Sequence, residues 1–151
     1  MPTLHPPLFV YGTLRDPEIR NGVVGRSLPD RDLRPARARG WRTVYFPGEV
    51  YPALVPAGSA STAAGLIVFG LTVLERKRLD AFEGDQYRVG TLRVESAKGT
   101  LNALAYFPAV DIGADAQPWD FERWTFRHRP GAIQSYRIND FAPDRPGDKH
   151  V

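Results

Sequence analysis

The segment Leu8-Phe9-Val10-Tyr11-Gly12-Thr13-Leu14 decides how this chain begins to fold. Its first four residues form a short apolar run, which predicts a buried β-strand that stops at Gly12. Asp16-Pro17-Glu18 follows and is typical of a helix start, with an aspartate N-cap and proline at the first helical position. Backbone N–H groups of a turn that enters a helix can hold a carboxylate. The alternative is that Gly12 only turns the chain.

Strands dominate the rest of the pattern. The arginine-rich residues 26–39 are predicted to form a solvated excursion between the first helix and the next strand. Thr72 and Glu75 form a capping-box pattern. The helix that it starts, over residues 73–82, is predicted to turn Leu74, Leu79 and Phe82 toward the core. Five further strands are predicted, over residues 40–46, 50–55, 61–71, 87–94 and 100–107.

A third helix is predicted to begin near Trp119, and Pro130-Gly131 is predicted to interrupt or end it. The order of elements indicates an α+β fold with a mixed or curved sheet. The sequence contains 151 residues, which fit one domain. We predict that this domain spans residues 1–142 and that residues 143–151 form a flexible tail.

The segment Leu79-Asp80-Ala81-Phe82-Glu83-Gly84-Asp85-Gln86-Tyr87-Arg88 carries the second chemical signal. Glu83 falls at the end of a predicted helix, where the helix dipole disfavours a negative charge. Together with partial burial, that setting makes protonation easier and suits a group that exchanges protons near neutral pH. The alternative is a solvated glutamate without a catalytic role.

Composition excludes several classes of site. The chain has no cysteine, so disulfides and thiolate chemistry are excluded. Its three histidines are far apart in the sequence, so we expect neither a metal site nor a cofactor. We find no signal-peptide pattern and no apolar run long enough for a membrane span, so we expect a cytoplasmic location and no membrane partner.

The charge pattern leaves one alternative class open. The net charge is +3 and the isoelectric point is near 9.4, which could serve a nucleic-acid binder that uses residues 26–42. Acidic residues are scattered among the arginines, however, so we expect no nucleic-acid partner.

In this order and spacing, the two segments resemble the gamma-glutamylcyclotransferase-like family, which includes gamma-glutamylamine cyclotransferases and avirulence-induced-gene-like proteins. The resemblance continues through Tyr51-Pro52-Ala53-Leu54 and Ala64-Gly65-Leu66 and fades after Phe107. It implies a small mixed β-barrel or strongly curved sheet with flanking helices. It also implies an enzyme without a cofactor that cyclises a gamma-glutamyl amine or peptide to 5-oxoproline.

The resemblance assigns Glu83 as the general acid/base. It assigns the substrate's carboxylate to the loop formed by Tyr11, Gly12, Thr13 and Leu14. Tyr87 resembles a family tyrosine that follows the glutamate, and cavity lining and plain packing are both open for it. We expect a small-molecule substrate and a monomer or weak homodimer.

Two alternatives share the same cavity: a non-catalytic small-molecule binding protein, and an enzyme with a different acyl or amide chemistry. The aromatic residues after position 118 also have two interpretations. They could close one side of the cavity and select the leaving group, or they could cover the barrel as core. These residues are Trp119, Phe121, Trp124 and Phe126.

Overall fold

A computed structural model describes residues 6–135. The predicted tail at 143–151 and the predicted domain end at 142 lie outside these residues. The strands are β1 (Leu8–Val10), β2 (Leu33–Arg39), β3 (Trp41–Tyr45), β4 (Pro52–Pro56), β5 (Thr62–Val68), β6 (Tyr87–Ser96) and β7 (Gly99–Pro108). The helices are α1 (Pro17–Val24), α2 (Val73–Glu83), α3 (Phe121–Arg127) and α4 (Arg129–Ser135), and short 3-10 helices lie at Thr13–Arg15, Asp30–Asp32 and Gly84–Gln86.

Five strands form a closed barrel in the order β1-β5-β2-β6-β7, and β3 pairs with β4 in a separate two-stranded sheet. Every neighbouring pair in the barrel is antiparallel except β1 and β7, which are parallel and meet at Leu8 and Leu104. The Leu104 N–H also donates to the Pro7 carbonyl at 2.8 Å. The α+β fold with a mixed barrel is therefore confirmed.

Successive side chains of β1 point in opposite directions and contribute to two different parts of the core. Phe9 packs inside the barrel, in a cluster that draws on all five barrel strands. Leu8 and Val10 face the other way, into a cluster shared with α1, α2 and α3. Much of the interior cluster is alanine, at positions 38, 63, 103 and 105. A five-stranded barrel is narrow, so small side chains are needed to fill it without strain.

Gly65 lets β1 and β5 approach closely. A Cβ atom at this position would lie 2.4 Å from the Val10 carbonyl oxygen and 2.7 Å from Cζ of Phe9. No side chain fits at such distances, so only glycine is compatible with this crossing. The small-Gly-apolar pattern at residues 64–66 therefore has a steric cause.

The predicted excursion over residues 26–39 is wrong in its second half. Residues 33–39 form β2, which lies between β5 and β6 in the barrel. Ala38 is fully buried, whereas Arg37 and Arg39 on either side point outward and contact Glu95 of β6. The strand was missed because its inward residues are alanines, which give only a weak hydrophobic alternation.

One helix prediction also needs correction. In α2 the predicted capping box is present, but Leu74 is 56% exposed, so it does not face the core. Glu75 is buried because its carboxylate pairs with Arg26. The helix α1 continues through Asn21-Gly22 and ends at Gly25, whose φ of 94° favours glycine.

The C-terminal part contains two short helices. Asp120 caps α3, and its carboxylate accepts from the N–H of Glu122. Pro130 lies in the first turn of α4, so the Pro130-Gly131 pair belongs to a second helix and does not simply end the first. Proline is compatible with a first turn because the N–H that it lacks has no helical partner there.

Candidate active site

The end of β1 and the end of α2 meet at a cleft beside the barrel. The space between its walls is about 410 Å³, part of it open to solvent. Its walls come from three stretches of chain around β1, β4 and α2, with single residues from β6 and β7. The lining residues are Phe9, Val10, Tyr11, Gly12, Thr13, Leu14, Tyr51, Pro52, Phe82, Glu83, Tyr87 and Tyr106.

The loop at residues 11–15 forms the first wall. A Cβ atom on Gly12 would lie 2.8 Å from Cγ of Pro52, so glycine is required where the loop passes β4. The chain then forms a single 3-10 turn, in which the N–H of Arg15 donates to the Gly12 carbonyl at 3.0 Å. Asp16 ends this turn and caps α1, accepting from the N–H groups of Glu18 and Ile19.

The direction of the loop's N–H groups follows from this turn. The carbonyls of Gly12 and Thr13 accept hydrogen bonds from residues three positions later. In a planar trans peptide the N–H points away from the C=O. The N–H groups of Thr13 and Leu14 therefore point toward the start of the turn, where no preceding helical carbonyl can accept them. Groups in this position can hold an anion.

Glu83 forms part of the opposite wall and is the last residue of α2. Leu79 and Phe82 are buried in the core cluster that includes α1, and they fix the last turns of the helix. Gly84 ends the helix with a φ of 73°, and its N–H donates to the Asp80 carbonyl. Glu83 itself is half-buried, so its position depends on the buried residues beside it.

The charge of Glu83 acts on three tyrosine hydroxyls of the cleft. Burial raises the pKa of Tyr11 well above its ordinary value, and the charge of Glu83 raises it further. The same two causes, with a hydrogen bond to Asp80, raise the pKa of Tyr106. Burial and the charge of Glu49 raise the pKa of Tyr51 to about 12, and Glu83 adds to the effect. All three phenols are therefore neutral near pH 7.

Hydrogen bonds hold these tyrosines in place. The Tyr11 hydroxyl donates to the Tyr106 carbonyl at 2.5 Å, and the Tyr106 hydroxyl donates to Oδ1 of Asp80 at 2.6 Å. The Tyr51 hydroxyl donates to the side-chain oxygen of Gln86. These contacts tie β1, β4 and β7 to α2 and the 3-10 turn that follows it, so the cleft walls are connected to each other.

Tyr87 both lines the cavity and packs against its neighbours, the two roles considered for it from the sequence. It lines the cleft, and its hydroxyl donates to the Pro52 carbonyl at 2.6 Å. Its ring also packs against Phe46 and Tyr51, with centroids 5.5 and 6.2 Å away. Tyr87 thus both contributes surface and fixes β4 against the cleft.

The structure brings all six residues singled out from the sequence into this cleft: Tyr11, Gly12, Thr13, Leu14, Glu83 and Tyr87. Sequence reasoning missed Tyr106 as a cleft residue. The available signal was a tyrosine within the apolar alternation of residues 100–107, which indicates a phenol that needs a polar partner. Tyr51 and Pro52 lay within a quoted motif but were not assigned to the site.

The aromatic residues of the C-terminal part do not line the cleft. Trp119 and Trp124 are buried in the core cluster, with Phe121 packed against it. Phe126 is 86% exposed. Within the described part of the chain, packing is therefore the function of the two tryptophans, and none of the four aromatics closes the cavity.

The arginines of residues 26–42 are mostly engaged within the protein. Arg26 pairs with Glu75 at 2.5 Å, and Arg37 and Arg39 share Glu95 at 3.3 and 3.0 Å. Arg34 lies 4.7 Å over the ring of Phe69. Three of these arginines thus have carboxylate partners within the protein.

No three histidine, aspartate or glutamate side chains within residues 6–135 approach one another as metal ligands would. No helix in the same range has the length and apolar character that crossing a membrane requires.

The chain is similar to known proteins of one family. A family profile described as "Gamma-glutamyl cyclotransferase, AIG2-like" matches residues 8–126. AIG2-like protein A of Arabidopsis thaliana is 28% identical over 134 residues, covering 86% of this chain and 78% of that protein. AIG2-like protein D of the same plant is 31% identical over 136 residues, covering 87% of this chain and 86% of that protein.

The fold also matches a solved structure. The solution structure of another Arabidopsis thaliana protein superposes with a TM-score of 0.64 at 26% identity. The match covers 86% of this chain and 87% of that protein. The similarity therefore includes most of the barrel and its helices.

Proposed function

The chain belongs to the gamma-glutamyl cyclotransferase, AIG2-like family, and from that membership we propose that it cyclises a gamma-glutamyl amine or peptide to 5-oxoproline. Family membership implies a small-molecule substrate. One observation carries the proposal: Glu83 is the only carboxylic acid among the residues described as lining the cleft, and it shares this cleft with the loop at Gly12–Leu14.

The two walls suit the two ends of a gamma-glutamyl group. The α-carboxylate would bind the N–H groups of Thr13 and Leu14, where a helical turn begins. The α-ammonium would then face Glu83 across the cleft. The tyrosines that line the cleft are neutral, so the carboxylate of Glu83 is the natural partner for a cation there.

The reaction needs proton transfer and correct geometry. Glu83 takes a proton from the α-ammonium, and the freed amine attacks the γ-carbonyl carbon, forming the C–N bond of a five-membered ring. The ring nitrogen then still carries one proton too many, and Glu83, having passed the first proton to the leaving nitrogen, takes this second one as well. The tetrahedral intermediate breaks its bond to the leaving nitrogen, which departs with both protons as an ammonium group. The products are 5-oxoproline and this protonated amine, and atoms and charges balance without an oxidant.

The magnitudes suit a small cleft with one carboxylic acid. Holding the amine against the γ-carbonyl in an attack geometry contributes roughly 7–11 kcal/mol to lowering the barrier. Proton transfer by a positioned acid/base contributes roughly 10²–10⁴-fold.

The proposal also includes a cytoplasmic site of action, because gamma-glutamyl compounds of low molecular weight would reach the enzyme there.

The test is a panel of gamma-glutamyl compounds, including glutathione, gamma-glutamyl amino acids and gamma-glutamyl-lysine peptides, scored by release of 5-oxoproline. Glu83→Gln keeps the size of the side chain but cannot exchange a proton. We expect it to lower kcat by about 10²–10⁴-fold. Asp85→Asn is the matched control, since Asp85 is an exposed acid two residues away and is not among the cleft residues.

The outcomes separate the alternatives. Turnover that Glu83→Gln retains in full would remove Glu83 from the mechanism. Binding of gamma-glutamyl compounds without any 5-oxoproline would instead indicate a non-catalytic binding protein. A product other than 5-oxoproline from the same panel would indicate a different amide chemistry in this cleft.

A further inference from the structure

The loop that faces Glu83 is fixed at four consecutive carbonyl groups. Those of Gly12 and Thr13 accept from the N–H groups of Arg15 and Asp16, each at 3.0 Å. Those of Leu14 and Arg15 accept from one guanidinium nitrogen of Arg20, at 3.1 and 2.9 Å. Since each C=O sets the direction of the N–H in the same peptide, the first two bonds also orient the N–H groups of Thr13 and Leu14. The two Arg20 bonds fix the next two peptides of the same turn.

The helices α3 and α4 contact this loop at consecutive residues. The guanidinium of Arg15 lies 4.4 Å over the ring of Phe121 in α3. In α4, Arg129 donates its Nε–H to the carboxylate of Asp16 and also pairs with Glu18 at 3.2 Å. Leu14 packs in the same buried cluster as Trp124, which is 1% exposed. The pair α3–α4 therefore covers the outer side of the loop.

Arg129 has the most direct effect on the loop. Asp16 is 3% exposed, and its carboxylate both caps α1 and accepts the Arg129 bond. Removing the cation would leave a buried carboxylate without its ionic partner, which is costly. The carboxylate would then move toward solvent, and the cap of α1 and the end of the 3-10 turn would move with it.

We propose that α3 and α4 act as a strap that positions the substrate loop, with Arg129 as its positioning residue acting through Asp16. The effect on substrate binding rests on the proposed function. The effect of α3 and α4 on the loop itself does not. No residue of α3, and none of the described side chains of α4, lines the cleft. The strap therefore acts on the substrate only through the orientation of residues 12–15.

A strap of this kind affects substrate binding more than the chemical step of the reaction. The loop holds a carboxylate that takes no part in bond making, so the contact is equally strong in the ground state and in the transition state. Loss of such uniform binding raises KM and leaves kcat unchanged. A residue with a merely structural function would lower the amount of folded protein without changing the KM of the folded fraction.

The experiment compares Arg129→Gln with Arg26→Gln. Both variants remove the cation of an ion pair with a nearly buried carboxylate, and the arginines are 33% and 39% exposed. Arg26 pairs with Glu75 at the start of α2 and does not contact the loop. Amide hydrogen exchange at Arg15 and Asp16 is measured first, on the folded proteins, and steady-state kinetics on the best gamma-glutamyl substrate follow.

We expect faster exchange at both amides in Arg129→Gln and unchanged exchange in Arg26→Gln. KM should rise about 2- to 30-fold in Arg129→Gln, the range for a contact that acts through packed neighbours. Its kcat should stay within about twofold. Arg129→Lys keeps the charge without the paired guanidinium bonds. Its amide exchange rates and its KM should therefore lie between those of the wild type and those of Arg129→Gln.

The two readouts separate this inference from the proposed function. Equal exchange rates in Arg129→Gln and Arg26→Gln would overturn the strap, even if the wild-type protein is an active cyclotransferase. Faster exchange only in Arg129→Gln would support the strap, even if the wild type releases no 5-oxoproline from any compound. An unchanged KM beside faster exchange would overturn the effect on substrate binding.

Discussion

At the scale of single residues, the cleft depends on two positions with opposite requirements. Glu83 supplies the only carboxylic acid among the described lining residues, and its neighbours Leu79 and Phe82 are anchored in the core. Gly12 supplies nothing chemical, but the 2.8 Å approach of Pro52 leaves no space for a side chain there. Position 83 therefore needs a carboxylic acid, and position 12 needs a residue without a side chain.

We predict that Gly12→Ala destabilises the protein by about 1–3 kcal/mol, as overpacking of a close contact does. The added methyl group must displace the Pro52 ring or the loop, so substrate binding should weaken as well. Urea unfolding of the variant and the wild type measures the loss. Gly58→Ala is the control, because a Cβ atom there meets nothing within 4 Å. Equal stability of the Gly12 and Gly58 variants would mean that the loop tolerates a side chain.

At the scale of elements, α3 shows what an aromatic pattern can and cannot predict. Its residues alternate between core and surface within one short helix: Trp124 is 1% exposed and Phe126 is 86% exposed. The sequence offered both as candidates for the cavity wall or the core. Only the packing of α3 on the cluster around Leu14 and Ile19 decides which aromatic is buried.

We predict that Trp124→Ala costs about 3–5 kcal/mol of unfolding free energy, the usual effect of removing a large buried aromatic. Phe126→Ala, in the same helix, should change stability by less than about 0.5 kcal/mol, since the ring is almost wholly in solvent. Thermal unfolding followed by circular dichroism compares the two. A large loss in Phe126→Ala would show that this ring is covered in solution.

At the scale of the whole molecule, the strands β1, β5 and β7 connect the two parts of the core. Each of them contributes residues both to the cluster inside the barrel and to the cluster shared with α1, α2 and α3. The small β3–β4 sheet has a further cluster, and Leu54 of β4 reaches the interior of the barrel. That sheet is linked to the barrel side through Tyr87, which packs against Phe46 and Tyr51. We therefore propose one folding unit.

A single unit predicts one cooperative transition. Tryptophan fluorescence reports on Trp41, Trp119 and Trp124, in different parts of the molecule, and far-ultraviolet circular dichroism reports on the backbone. Urea unfolding curves from the two probes should coincide. For a monomer or a weak homodimer, the midpoint should not change with protein concentration. Two separate transitions would show that the chain contains more than one unit.

The sequence alone predicted much of the site because its signals are local. A strand that ends at Gly12, an N-cap at Asp16 and a capping box at Thr72 depend on neighbours within a few residues, and all three are present in the structure. Such features arise from backbone hydrogen bonding and are fixed by short-range chemistry. For the same reason, the place of Glu83 at a helix end could be predicted to within one residue.

The sequence by itself determined the α+β class, the presence of most elements and the family of this chain. Tertiary structure decided that residues 33–39 close the barrel as β2, that Tyr106 lines the cleft and that α3 and α4 cover the substrate loop. These features join residues as far apart as Asp16 and Arg129. No local pattern encodes such pairs, because their energy comes from packing and charge contacts that exist only after the barrel has closed.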